Sequence, residues 1–282
     1  MQLVSYNVQF CRGRDETVDV DRIAAEVDGA DVIALQEVDR YWRRSGDVDQ
    51  VSELAARLPD YHWVYGAGVD LAVEGSTSKR RQFGNMVLSR SPIISNRNHL
   101  LPKYAAGDAL SVQRSAVEAV IDTAIGALRF FSIHLTHLSA KTRLPQVEML
   151  MQLHRDAVRE GIAVCGAPRR DWVEIQGLPA MPREAVFMGD FNCEPDSLEY
   201  ERIVGPVSDY GDRLTNPEGL VDAWMQCGGD PVGGHTSDFD GRPIRIDYCF
   251  VSTVLAGRLR SASVDVNATG SDHLPIRMEL DL

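Results

Sequence analysis

The 282-residue sequence contains no run approaching 18 apolar residues, which excludes a helix long enough to span a bilayer. Cysteine is sparse. The five present (Cys11, Cys165, Cys193, Cys227 and Cys249) are scattered, odd in number and without a C-x-x-C pair. That pattern is neither a disulfide framework nor a zinc site, and it fits a reducing compartment. No basic segment followed by an apolar stretch precedes the strand-like residues 1–8, so no signal peptide is legible and the expected address is the cytoplasm. Excess positive charge is also missing: the net charge is −12, and such a field repels long polyanions. This disfavours a dedicated nucleic-acid binder, although an acidic metal enzyme can still carry a local basic lip. Internal repeats, low-complexity tracts and shifts in composition do not stand out. What remains, 44% apolar and 25% charged residues, describes a globular protein with a sizeable core.

Periodicity suggests a strand at 2–8 with Leu3 inward, then a helix over 21–27 on Ile23, Ala24 and Val27, closed by Gly29. A short apolar strand follows at 32–35, of the kind buried on both faces, and a second helix near 48–58 stops before Pro59. Another strand is expected at 61–65, then a long polar loop over 66–82 with the cluster Lys79-Arg80-Arg81. Strand pairs follow at 84–89 with 93–100, and at 114–121 with 127–135. The clearest helix covers 142–160. Pro145 sits in its first turn, where a missing N–H does little harm, and Val147, Leu150, Met151 and Val158 form one stripe. Residues 161–183, with three prolines and three glycines, break the pattern and read as an inserted loop, because strand material resumes at Ala185. Residues 205–234 are loop-rich, and 244–252 and 275–282 are strands.

The most informative stretch is M-G-D-F-N-C-E-P-D at 188–196. An apolar run enters it, Gly189 lets the backbone turn, and Asp190 and Asn192 lie two apart. In extended chain that spacing puts both side chains on one side. A carboxylate and an amide presented together at a strand end suit a hard cation and a phosphate oxygen. The plainer reading is a turn in which both bond their own backbone. The company they keep decides. Polar residues recur at or just beyond strand ends: Asn7, Glu37, His134, Asp190 with Asn192, Asp247, and Asp272 with His273. Any one strand end is polar because it reaches water, but the whole set is what a site at one edge of packed sheets requires. Glu37 surfaces from a core strand as a metal ligand or a solvated acid. Asp247, hemmed in by Ile246, Tyr248 and Phe250, needs a partner. An imidazole N–H would serve, with its tautomer fixed by the acid; a structural ion pair with Arg245 is the alternative. Asp272 can bind metal while its neighbour His273 meets a phosphate or water. His134 and His137, three apart, would face opposite ways in a strand and make poor co-ligands. The oxygen-rich set Glu37, Asp190, Asn192 and Asp272 suits Mg²⁺ or Mn²⁺ rather than zinc.

In chain order the motifs are S-Y-N (5–7), L-Q-E (35–37), F-G-N-M-V-L-S-R (83–90), I-H-L-T-H-L (133–138) with R-x-x-Q (143–146), G-D-F-N (189–192), R-I-D-Y (245–248) and S-D-H-L-P (271–275). Together they resemble the endonuclease/exonuclease/phosphatase superfamily, the DNase I-like metal-dependent phosphoesterases. The resemblance runs from residue 3 to residue 280. It implies an α+β fold, a four-layer α/β/β/α sandwich of two packed mixed sheets, as one domain over 1–282 with 161–183 inserted. It further implies that Glu37 is the principal metal ligand with Asn7 and Asp272 nearby, and that His134 and His273 contact the scissile phosphate. Asp247 would orient His273, and Asp190 with Asn192 would position or deprotonate the attacking water. His134 is preferred over His137 because its nine-residue distance to Arg143 resembles the family's spacing. Two departures stand out. Where the family's nucleases often carry an acid to partner the first histidine, this chain reads Lys79-Arg80-Arg81-Gln82, so that partner has no name. The DNA-gripping aromatics and basic loops of the abasic-site nucleases are not found.

The expected activity is a Mg²⁺- or Mn²⁺-dependent phosphoric ester hydrolase that cleaves a phosphodiester or phosphomonoester by in-line attack of water. A small or lipid-derived phosphate compound is favoured over nucleic acid. One alternative is an endo- or exonuclease, which Lys79, Arg80, Arg81 and Arg114 near the cleft would favour. Another is a non-catalytic binding module on the same fold, which should have lost site residues.

Overall fold

Strands that are apolar on both faces need cover on both sides, and the chain supplies it with two sheets stacked face to face and helices outside. The computed structural model describes residues 1–282. Its first half comprises β1 (Gln2–Asn7), α1 (Val20–Val27), β2 (Val32–Arg40), α2 (Gln50–Arg57), β3 (His62–Ala72), β4 (Arg80–Ser89), β5 (Ile93–Leu100), β6 (Ser115–Ile121) and β7 (Leu128–His134). There follow α3 (Ala140–Glu160), β8 (Ala185–Asp190), α4 (Leu198–Val204), β9 (Leu220–Asp222) and α5 (Ala223–Gln226). The chain closes with β10 (Ser237–Phe239), β11 (Arg242–Ile244), β12 (Asp247–Ser252), β13 (Leu259–Val264) and β14 (Ile276–Leu280). One six-stranded sheet has the order β13-β14-β1-β2-β4-β3, the other β5-β6-β7-β8-β12-β9, and β10 with β11 form a small hairpin. Both large sheets are mixed: β1 runs parallel to β2 and β7 parallel to β8, while the other neighbours are antiparallel. This is the expected four-layer α+β sandwich.

Three apolar cores explain the layering. Leu3, Ala34, Val87, Phe130, Val186 and Val251 meet between the sheets. Ile23, Val27, Val51 and Leu54 of α1 and α2 cover the first sheet. Val147, Leu150 and Met151 of α3, with Tyr200 and Ile203 of α4, cover the second. Each helix starts where its cap allows. Asp19 accepts from the Arg22 amide at 3.0 Å ahead of α1, and Ser139 with Thr142 forms a reciprocal capping box ahead of α3. Because α3 begins at Ala140, Pro145 falls in its second turn rather than its first. The buried stripe of that helix continues through His154 and Ala157, and Val158 is 60% exposed, since a period of 3.6 residues carries position 158 off the face.

The segment 66–82 is not a long loop. β3 continues to Ala72 and β4 begins at Arg80, so only the turn between them is irregular. Its residues look loop-like because this end of the hairpin is solvated, with Arg80 and Gln82 both bonded to Asp70 across the strands. Likewise α4 is only seven residues long, and the edge strand β13 turns Arg260, Ser261 and Ser263 to solvent, so neither announces itself. Residues 161–183 are largely irregular apart from a single helical turn at Val173–Ile175, and are tacked to the core by Ile162 and Met181. No helix is long and apolar enough to cross a membrane, and all five cysteines are free.

Candidate active site

Strand register alone gathers half of the site. In the second sheet His134 pairs with Asp190 and Asp190 pairs with Asp247, so three side chains of the site stand in one row across β7, β8 and β12. In the first sheet Asn7 stands opposite Gln36, next to Glu37. Two parallel pairs, one per sheet, therefore bring their C-terminal ends to the same rim. The sheets are bolted together beneath it. Gln36 Nε2 donates to Ser132 Oγ at 2.9 Å, and Asn85 Nδ2 of the F-G-N motif donates to the carbonyls of Ser115 (2.7 Å) and Ser132 (3.2 Å). Asn85 is thus a cross-sheet clamp. Gly189 is required by close packing: a Cβ there would lie 1.9 Å from the Ile133 carbonyl oxygen.

Glu37 differs from the expectation that it ends a strand. It sits inside β2, at a register shift between Leu35 and Val38, with φ of +62°. A bulge of this kind re-aims one side chain, here toward the rim, and a left-handed φ at a residue other than glycine persists where the surroundings enforce it. Asn192, at φ +51°, ends the D-F-N turn in the same way. Its amide donates to the Leu135 carbonyl at 3.1 Å, while its backbone N–H donates to Asp190 Oδ1 at 2.8 Å. Asp190 and Asn192 therefore combine the turn reading with convergence on the site.

The side chains interlock. Asn7 Nδ2 donates to Asp190 Oδ2 at 3.0 Å and approaches Glu37 Oε1 at 3.4 Å. His134 Nε2 lies 3.4 Å from Asp190 Oδ2 and 3.8 Å from Glu37 Oε1. His273 Nδ1 meets Asp247 Oδ2 at 2.8 Å, and its Nε2 is 4.0 Å from Asp190. Asp272 joins through Gln9, whose Nε2 donates to Asp272 Oδ2 at 2.8 Å. Arg245 is not the partner of Asp247. It pairs with Asp222 at 2.6 Å, leaving Asp247 to His273 and to the Thr236 hydroxyl, which donates at 2.6 Å.

The unnamed partner of the first histidine is a cation, not an acid. Arg114 Nη1 donates to His134 Nδ1 at 3.0 Å and Nη2 donates to His137 Nδ1 at 3.2 Å. With Nδ1 an acceptor, neutral His134 must carry its proton on Nε2, the atom that faces the carboxylates. Burial, then Arg114, holds the His134 pKa well below the ordinary value, so the neutral form prevails. His137 has no contact with the carboxylates, and only His134 enters the cluster. Sequence reasoning did not single out Arg114, Gln9 or Thr236 for these contacts. Arg114 had been read only as a basic residue near the cleft, with no partner assigned.

The electrostatics divide the acids by role. Burial raises the Glu37 pKa, although Arg114 and His273 pull it back. Burial, then the charge of Asp247, raises that of Asp190. For His273 burial opposes the charged ring, but Asp247 and Asp190 outweigh it and push the pKa up to about 10. Four carboxylates (Glu37, Asp190, Asp247, Asp272) thus face the Arg114 guanidinium and the His273 ring, an excess of anionic oxygen that fits a hard divalent cation. Ligand atoms of Asp190, Asp247 and His273 come within 4.8 Å of one another. Asp247 and His273, however, spend those atoms on each other, so their closeness is a hydrogen bond. Glu37, with only long contacts from Asn7 and His134 to one oxygen, keeps its oxygens available.

Comparison with known proteins agrees with this fold. The sequence profile of the Endonuclease/Exonuclease/phosphatase family matches residues 4–273. Among solved structures, an endonuclease/exonuclease/phosphatase from Beutenbergia cavernae is 24% identical, with a TM-score of 0.71 over 100% of this chain and 71% of that one. A mannosyl-6-phosphatase from Bacteroides thetaiotaomicron is 19% identical, with a TM-score of 0.65 over 100% of both chains. Truncated TDP2 of Caenorhabditis elegans is 18% identical, with a TM-score of 0.60 over 100% of this chain and 97% of that one. No curated protein sequence matches the chain significantly.

Proposed function

The chain belongs to the endonuclease/exonuclease/phosphatase family, and from that premise we propose that it is a Mg²⁺- or Mn²⁺-dependent phosphoesterase cleaving a phosphodiester or phosphomonoester by in-line attack of water. The observation that carries this reading is the contact chain His134–Asp190–Asn7–Glu37, which joins both sheets at one rim with His273 beside it. We assign Glu37, Asn7 and Asp272 to the cation, and His134, Asp190, Asn192, Asp247 and His273 to the reaction. The whole chain then acts as one catalytic unit.

The cation, held by Glu37 with Asn7 and Asp272, would neutralise charge building on the phosphoryl oxygens. The residues do the rest. Asp190, whose carboxyl is raised toward neutrality by burial and Asp247, takes the proton from the attacking water, and Asn192 helps to place that water. His273, kept charged by Asp247, and the Nε2–H of His134 donate to the non-bridging oxygens of the phosphoryl group. Water oxygen bonds to phosphorus as the bond to the leaving oxygen breaks on the opposite side.

A small or lipid-derived phosphate ester is favoured over nucleic acid. The net charge is −12, and of the basic cluster at the start of β4, Arg80 is committed to Asp70 and Lys79 lies over Tyr41. A phosphomonoester would be the class met by the mannosyl-6-phosphatase of similar fold. The test is hydrolysis of an aryl phosphodiester, an aryl phosphomonoester and plasmid DNA, each with and without EDTA. Ester turnover that EDTA abolishes and Mg²⁺ or Mn²⁺ restores is the expected result. Cleavage of DNA alone, or of nothing, would overturn the proposal.

A further inference from the structure

A fixed cation stands on the rim and has no part in the chemistry above. Arg44 Nε and Nη2 donate to the two oxygens of Asp39, both at 2.9 Å, and Asp39 is fully buried. The guanidinium carbon lies 4.4, 5.0 and 5.2 Å from the ring centroids of Phe10, Trp42 and Phe83. Trp42 is itself anchored, its Nε1 donating to the Gln82 carbonyl at 2.8 Å. Despite these ties the Arg44 side chain stays 43% exposed, and its Nη1 group bonds to nothing in the chain. The Phe83 ring is shared with the site: the Arg114 guanidinium is 5.7 Å from its centroid and the His134 ring 6.3 Å. Arg44, Phe83, Arg114 and His134 therefore form one wall from solvent to the reacting end.

Holding Arg44 there requires unusual backbone. Of nine residues other than glycine with positive φ, six (Gln9, Phe10, Cys11, Glu37, Tyr41 and Asp47) lie in the two segments that build this corner. Such conformations persist where the surroundings over-determine them, and they collect at ligand sites. A surface ion pair alone needs no aromatic cradle.

We propose that Arg44 is an anion subsite that reads a second phosphoryl group on the substrate, so that bisphosphorylated compounds are bound in preference to monophosphorylated ones. The proposal rests on the phosphoesterase reading and specifies its substrate class. A planar guanidinium locked along one edge offers its other edge to phosphate oxygens with little left to order on binding, which a lysine would not. Phosphate seated at His134 and His273 would place the rest of the substrate along the wall toward Arg44.

The test is calorimetric affinity for glucose 1,6-bisphosphate against glucose 6-phosphate, on wild type, Arg44→Gln and the double variant Asp39→Asn/Arg44→Gln. The double variant neutralises the buried acid together with its partner, in case the single change fails to fold. Wild type should prefer the bisphosphate by roughly tenfold or more, the size of one charge-assisted hydrogen bond, and the ratio should fall to near one in the folded variant. Equal affinity or no binding in wild type, or a ratio that survives in a folded variant, overturns the subsite. Failure of the phosphoesterase reading shows separately, as absence of aryl phosphate turnover.

Discussion

Asp247→Asn exchanges one oxygen for nitrogen, keeps the shape, and removes the charge that faces His273. The remaining oxygen can still accept from Thr236, so the fold around β12 has no cavity to absorb. What changes is the ring. Against burial, Asp247 is the leading influence that lifts His273 from an ordinary 6.5 to about 10. At about 1.4 kcal/mol per pH unit, the net shift favours the charged ring by about 5 kcal/mol, with Asp247 the largest favourable influence and Asp190 and Asp272 adding to it. Without the Asp247 charge only Asp190 and Asp272 oppose burial, and the His273 pKa should fall. Because the folded pKa lies above the unfolded one, His273 contributes stability that is fully present below pH 6.5 and is lost as pH rises through about 10. Wild type should therefore lose stability between neutral pH and pH 10 by an amount the variant does not. NMR titration of His273 in chelator-treated protein measures the ring directly. Turnover of an aryl phosphate near neutral pH should drop about 10²-fold or more. A wild-type ring already neutral at pH 8, or a variant within about threefold of wild-type kcat, would refute the reasoning.

Other perturbations separate catalysis from stability. Glu37→Gln should lower kcat about 10²-fold or more while leaving the melting temperature of chelator-treated protein equal or higher, because burial makes ionised Glu37 unfavourable at neutral pH. Loss of stability on that change would argue against a site residue held at a cost. Arg114→Met frees Nδ1 of His134 and His137, so nitrogen NMR should show mixed tautomers at His134 and kcat should fall about tenfold; an unchanged tautomer would show that Arg114 is not what fixes it. Away from the site, burial alone would raise Glu118, but His99, Arg97 and Arg129 outweigh it and bring its carboxyl down to about 2. Its stabilisation, about 3 kcal/mol, is present above pH 4.5 and lost as pH falls toward 2. Glu118→Gln should flatten that stretch of the acid denaturation curve.

The parts of the site legible in the sequence share one property: they are fixed by local chain geometry. Asp190 and Asn192 follow an apolar strand and a glycine, and Asp272 and His273 precede another strand, so spacing placed them. Asp247 was marked by its apolar neighbours, and its partner followed from the need to satisfy a buried charge. The role of Arg114 at the histidines was hidden because it lies in His134 at the end of the neighbouring strand and His137 just beyond it, a relation that only the β6–β7 register creates. The bulge at Glu37 was hidden for a like reason: the residues 35–38 alone do not show which of them lacks a partner on β4. In the fold, strands carrying continuous apolar residues were readable. The solvated end of the β3–β4 hairpin and the edge strand β13 were not, because both present polar side chains to water and imitate loops.

The pairing of β14 with β1 ties the two ends of the fold to the site. Asn7 and Glu37 precede Asp247 and His273 in the chain, and β14, which follows His273, completes the sheet that carries Asn7 and Glu37. Under the phosphoesterase reading proposed above, the site therefore depends on segments far apart in the chain, and removing β14 should leave β1 as an open edge and abolish turnover.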